Sequence, residues 1–180
     1  MASSTLLTAD ELLRMSFPGK RVELVRGTLV VSEPPGFLHG ECMVRLARIL
    51  GDYVASHDLG RVVAGDSGFK LASDPDTVRG PDVAFVQKGR IPDPPPVGYA
   101  ELAPDLAVEV LSPRDRPGET LAKVGDWLNA GTRLVWVVNP ERRTARVYRA
   151  DGSETLVETG AVLDGEDVVP GFACPLSSIA

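Results

Sequence analysis

Leu106-Ala107-Val108-Glu109-Val110-Leu111, closed by Ser112-Pro113, is a short apolar run with one carboxylate at its centre. Its uninterrupted, β-branched character predicts a buried strand. Pro113 has no amide hydrogen to continue a ladder, so the strand is expected to end near Ser112. Glu109 then stands near the C-terminal end of a core strand, where α/β folds often place their chemistry. Burying an ionised carboxylate is costly unless a cation or hydrogen-bond donors meet it. Two partners would meet that cost. A metal ion would make Glu109 a functional ligand, and an arginine would make it a structural residue. The strand alone favours neither.

A second apolar run, Val83-Ala84-Phe85-Val86, lies upstream and carries Asp82 at its head behind Gly80-Pro81. Phosphodiester hydrolysis needs a metal to neutralise phosphate oxygens, a deprotonated water and a stabilised leaving oxygen. Magnesium takes oxygen ligands in octahedral geometry and keeps several waters. Asp82 and Glu109, if their strands are neighbours, would supply two such ligands, and the backbone carbonyl of Val110 a third. Asp105 repeats the Pro-Asp pair, but on one extended strand it would sit about 13 Å from Glu109, too far to share an ion. The lysine that would polarise the water or steady the phosphate is harder to place, because Leu111 occupies the position two after Glu109. Among the four lysines, Lys20, Lys70, Lys88 and Lys123, only Lys123 follows Glu109. It lies on the next helix, off the apolar stripe, where a solvated lysine would equally sit. Ser112, Arg114 and Arg116 could reach a phosphate or form an ordinary polar turn.

The remaining chain reads as scaffold. Thr8 and Glu11 form a capping box for a short helix ended by Phe17-Pro18-Gly19. Arg21 to Val25 and Thr28 to Val31, joined by Arg26-Gly27, form a hairpin. Val22 and Leu24 share one face of it and Glu23 and Val25 the other, with Glu23 read as a solvated edge-strand residue. A long amphipathic helix runs from about Leu38 to Ser56, with Cys42, Leu46, Ile49 and Tyr53 inward and a Glu41–Arg45 pair outward. His39 in its first turn reads as a partly buried structural histidine. Strands are expected at Arg61 to Ala64 and from Gly68 to Leu71. The proline-rich segment Lys88 to Gly98 is an irregular loop, either bordering a groove or simply connecting. Pro117 to Asn129 is a helix with the stripe Leu121, Val124 and Leu128, ended by Gly131. Leu134 to Val138 is a buried strand, and Thr144 to Tyr148 alternates as an antiparallel one. Short β segments follow to about Phe172.

The 180 residues suit one domain, 1–180, with a real core, and the net charge of −6 argues against a broad electrostatic grip on nucleic acid. No apolar stretch is long enough to span a bilayer and no leader pattern opens the chain, so a cytoplasmic protein is expected. Cys42 and Cys174 have no ligand spacing and read as reduced core thiols.

Several blocks together resemble the Uma-type family of restriction endonucleases, within the PD-(D/E)XK superfamily. They are Val22-Glu23-Leu24-Val25-Arg26-Gly27-Thr28-Leu29, Pro34-Pro35 with His39, Arg79 to Phe85, Ala103 to Pro113, Gly131 to Val138, and Leu163 to Phe172. The resemblance implies a restriction-endonuclease-like α/β core: a mixed β-sheet flanked by α-helices, with an N-terminal β-hairpin and C-terminal antiparallel strands. It implies a magnesium site, with manganese as a substitute, held by Asp82 and Glu109. It moves the motif lysine to the following helix, at Lys123, and sets Glu23 at the edge of the site. Val22 and Thr28 depart from the family pattern around Glu23. The expected activity is metal-dependent cleavage of DNA, in a form able to act as a homodimer. The rival expectation is a nuclease fold kept as a nucleic-acid or protein binding module.

Overall fold

Residues 6–180 are described by the computed structural model. Thr8 caps α1 (Ala9–Arg14) through the expected box: its hydroxyl accepts the Glu11 amide, and the Glu11 carboxylate accepts the Thr8 amide. The hairpin of β1 (Arg21–Val25) and β2 (Thr28–Ser32) turns at Arg26 and Gly27, both at positive φ. That backbone gives a two-residue turn the same twist as its strands. Then come α2 (Phe37–Ser56), β3 (Gly60–Ala64), β4 (Phe69–Ala72), β5 (Thr77–Arg79) and β6 (Val83–Gln87). The second half contains β7 (Leu106–Val110), α3 (Pro117–Asn129), β8 (Leu134–Asn139), β9 (Thr144–Arg149), β10 (Glu154–Val157), β11 (Val162–Asp164) and β12 (Ala173–Pro175).

The main sheet has six strands in the order β10-β9-β8-β7-β6-β3. Only β7 and β8 in it are parallel, as a strand–helix–strand crossover through α3 requires. Alternation along β7 then sorts its side chains. Leu106, Val108 and Val110 join the core under Cys42, Leu46, Leu50 and Val54 of α2. Ala107 faces the other way, toward Val124 and Trp127 of α3. Glu109 shares that second face. A smaller sheet of order β2-β1-β5-β4 carries the hairpin, and its Leu24 and Val78 pack on Leu12 of α1. β5 runs through Arg79-Gly80-Pro81 into β6, so the two sheets meet at Asp82. Among the described residues no helix is long and apolar enough to cross a membrane.

Several local expectations change. Glu23 is not on an edge strand, because β1 lies between β2 and β5. The buried stripe of α3 is rotated: Trp127 is fully buried, whereas Leu121 is 53% exposed. The indole's large apolar area favours burial, and Glu109 offers the acceptor that its N–H needs. The proline-rich loop lines a separate, mostly apolar pocket of about 440 Å³ with Tyr99 and Phe69, away from Asp82 and Glu109. The last strand begins after Phe172 rather than ending there. Cys42 and Cys174 are buried free thiols, and burial pushes Cys42 up to about 12, which leaves it unreactive.

Candidate functional site

Asp82 enters the main sheet through its own amide, which donates to the Val108 carbonyl at 3.0 Å. This pairing sets Asp82 beside Glu109 on neighbouring strands, as the two-ligand reading required. One carboxylate oxygen of Asp82, Oδ2, accepts the Val110 amide at 2.6 Å. The other, Oδ1, accepts Arg21 Nη2 at 2.9 Å and lies 3.2 Å from His39 Nε2. Burial works to raise the Asp82 carboxyl, but His39 and Arg21 outweigh it and hold the group below its usual range.

Glu109 reaches the same place from the α3 side of β7. Its Oε2 accepts Lys123 Nζ at 2.9 Å and its Oε1 accepts Trp127 Nε1 at 2.8 Å. Burial, with Asp82 and Glu23 nearby, pushes this carboxyl up to about 7 despite the ammonium beside it. Lys123 also meets Glu23 Oε1 at 3.1 Å and the Gly80 carbonyl at 3.1 Å. Burial alone would lower the Lys123 ammonium, yet Glu109 and Glu23 raise it, so it remains a cation at neutral pH. Glu23 accepts the Gly80 amide at 2.9 Å and Arg79 Nη1 at 2.8 Å. Burial opposes its charge, but Lys123 and Arg79 hold its carboxyl below the ordinary value.

All four side chains singled out in the sequence, Asp82, Glu109, Lys123 and Glu23, therefore line one cleft of about 670 Å³, as does Val110. The hairpin forms one wall and the first turns of α3 the other. Arg116 lines it too; Arg114 is exposed on the loop before it. Asp105 is settled at the far end of β7, where Arg90 at 2.7 Å balances its charge and the Gln87 amide donates to it.

Other side chains join these four. His39 is fully buried rather than partly so, and among the described residues its Nδ1 has no hydrogen-bond partner. Arg79 ties three elements together, with Nη1 on Glu23 and Nε on Asp126 of α3 at 3.0 Å. Arg21 bridges Asp82 and Asp66. Trp127 supplies the second donor to Glu109. A signal was present for some of these: three carboxylates that must be buried together need more than one lysine to balance them.

The donor set suits a hard divalent cation. Asp82 and Glu109 offer carboxylate oxygens at the cleft floor, and burial, with the Asp82 and Glu23 charges adding to it, raises Glu109 in a way that such a cation would offset. Among the described residues no group of three or more His, Cys, Asp or Glu side chains is placed to hold an ion. The remaining positions would fall to a backbone carbonyl, water or substrate oxygens, a balance that magnesium accepts and a closed zinc site does not.

Residues 9–177 match a family model, Uma2, described as "Putative restriction endonuclease". No curated protein matches the chain. Among solved structures the chain is similar to a "putative nuclease belonging to DUF820" from Anabaena variabilis ATCC 29413. The two share 19% identity with a TM-score of 0.84, over 96% of this chain and 97% of that one. The mixed sheet flanked by helices is thus a fold that this nuclease-like neighbour shares.

Proposed function

We propose that this chain, which belongs to the Uma2 family of restriction-endonuclease-like proteins, cleaves DNA phosphodiester bonds with a magnesium ion held by Asp82 and Glu109. The observation that carries this reading is the pair of buried carboxylates at the floor of an open cleft, with the Lys123 ammonium 2.9 Å from Glu109. A bound magnesium, or manganese in its place, would supply the charge that polarises a phosphate and the water that attacks it. The Val110 carbonyl completes the proposed protein ligands. Lys123, being a cation, cannot act as a base; it donates to the attacking water or to a phosphate oxygen, where negative charge grows in the transition state. Glu23 fixes Lys123 from the hairpin side and keeps the ammonium aimed at Glu109. Trp127 sets the angle of the Glu109 carboxylate. Arg26 and Arg116, both lining the cleft, are the local basic groups for a DNA backbone that the net charge of −6 does not otherwise attract. A cytoplasmic homodimer presenting two clefts belongs to the same reading.

One observation favours the rival, a binding module on a nuclease fold: every oxygen of Asp82, Glu109 and Glu23 already has a protein donor. Cleavage assays separate the two. Plasmid and single-stranded DNA are incubated with magnesium or manganese and wild type, Asp82→Ala or Glu109→Ala. The nuclease reading expects cleavage by wild type alone, with circular dichroism unchanged in the variants. Equal traces in all three would mark contamination, and no cleavage by any would leave the binding module as the better reading.

A further inference from the structure

The two oxygens of Asp82 are not equally free. Oδ2 accepts the Val110 amide at 2.6 Å, a main-chain donor that cannot swing away from the carboxylate. A cation that takes Oδ1 must crowd or displace a donor already there, because Arg21 and His39 both meet that oxygen. His39 cannot withdraw, since its side chain is 4% exposed and packed in the first turn of α2. Arg21 can. Its side chain is 22% exposed, it lines the cleft, and the same Nη2 already contacts a second carboxylate, Asp66, on the loop after β3. Glu23, two residues along β1, is instead committed to Arg79 and Lys123 and does not pair with Arg21.

Building on the magnesium reading above, we propose that Arg21 is a resident counter-ion that competes with the divalent cation for Asp82 Oδ1, and that Asp66 is the berth to which Arg21 retires when the cation binds. Without the cation the guanidinium balances Asp82, so the buried carboxylate never stands uncompensated. With the cation bound, two positive groups would crowd one oxygen, and Asp66 draws Arg21 away. The pair thus sets how tightly the site holds its cation, independently of the groups that act on the substrate.

Manganese binding, followed by the electron paramagnetic resonance signal of free Mn²⁺, tests this in the absence of DNA. Arg21→Met is expected to tighten binding by about tenfold, the scale of coupling between contacting charged residues. Asp66→Asn is expected to loosen binding several-fold in the wild-type background and to change it little in the Arg21→Met background. That non-additivity separates a berth for Arg21 from simple loss of a nearby negative charge, which would weaken binding equally in both backgrounds. Equal loss in both, or no tightening in a folded Arg21→Met protein, overturns the inference while leaving the metal site intact. If Arg21→Met fails to fold, Arg21→Gln takes its place as the second background, with the same expected and overturning results. Asp82→Ala is the control. Manganese bound no better by wild type than by Asp82→Ala would instead sink the metal site itself, and this inference with it.

Discussion

Lys123→Met should destabilise the protein by an amount that depends on pH, because Glu109 holds its proton so late. The Glu109 carboxyl rises from an ordinary 4.5 to about 7 in the folded protein. Between those values the unfolded chain has released the proton and the folded protein has not. The folded state therefore loses stability as pH rises, at about 1.4 kcal/mol per unit and about 3 kcal/mol in all. Above the folded value the wild type loses no more, since Glu109 ionises against the ammonium 2.9 Å away. With Met at position 123 the carboxyl has only Trp127 and keeps its proton to higher pH, so the loss continues. The penalty of Lys123→Met should thus stay flat up to about pH 7 and then grow by about 1.4 kcal/mol per pH unit. Urea denaturation in chelator-containing buffer at pH 6, 7, 8 and 9 measures it. The extra shift in midpoint should be roughly 0.5–1 M for each unit above neutrality. A penalty constant from pH 6 to pH 9 would refute the claim that Lys123 is what lets Glu109 ionise.

Two further outcomes follow from the same network. Arg79→Ala leaves Glu23 and Asp126 without their shared guanidinium, and should cost about 3–5 kcal/mol in urea denaturation, the scale for breaking a buried ion pair. Gly80→Ala would press a methyl carbon to 3.0 Å from the Asp66 carbonyl oxygen, a backbone atom that cannot swing aside. Because Gly80 hydrogen-bonds both Glu23 and Lys123, this substitution should reduce DNA cleavage more than it lowers the melting temperature, measured on one preparation.

The parts of the site that could be read in the chain were those with a local energetic oddity. Glu109 in the middle of an apolar strand and Asp82 at the head of another have no cheap structural explanation, and both lie where that oddity pointed. Lys123 was reached by elimination and by resemblance, since its place off the Leu121–Val124–Leu128 stripe equally suited a solvated side chain. Its true environment depends on the rotation of α3, and that rotation is decided by Trp127 finding Glu109, a contact 18 residues apart in sequence. Arg21, Asp66, Arg79 and Asp126 were not assigned to the site, because charge balance calls for further cations without saying which residues supply them. Each is an ordinary surface-type residue until the hairpin, the β5–β6 passage and α3 converge. His39 showed its helical face but not its neighbour, because α2 and Asp82 meet only through the folded sheet.

The alternation along β7 has a consequence for how the chain chooses its own pairing. Sliding β7 by one residue against β6 or β8 would exchange its two faces, driving Glu109 into the dry layer beneath α2 and turning Val108 and Val110 toward Lys123 and Glu23. A strand of valine, leucine and alanine alone would tolerate that slip at little cost, since both of its faces are buried. The single acid makes the wrong alignment carry a stranded charge, so the residue proposed to hold the metal also proofreads the assembly of the sheet around it.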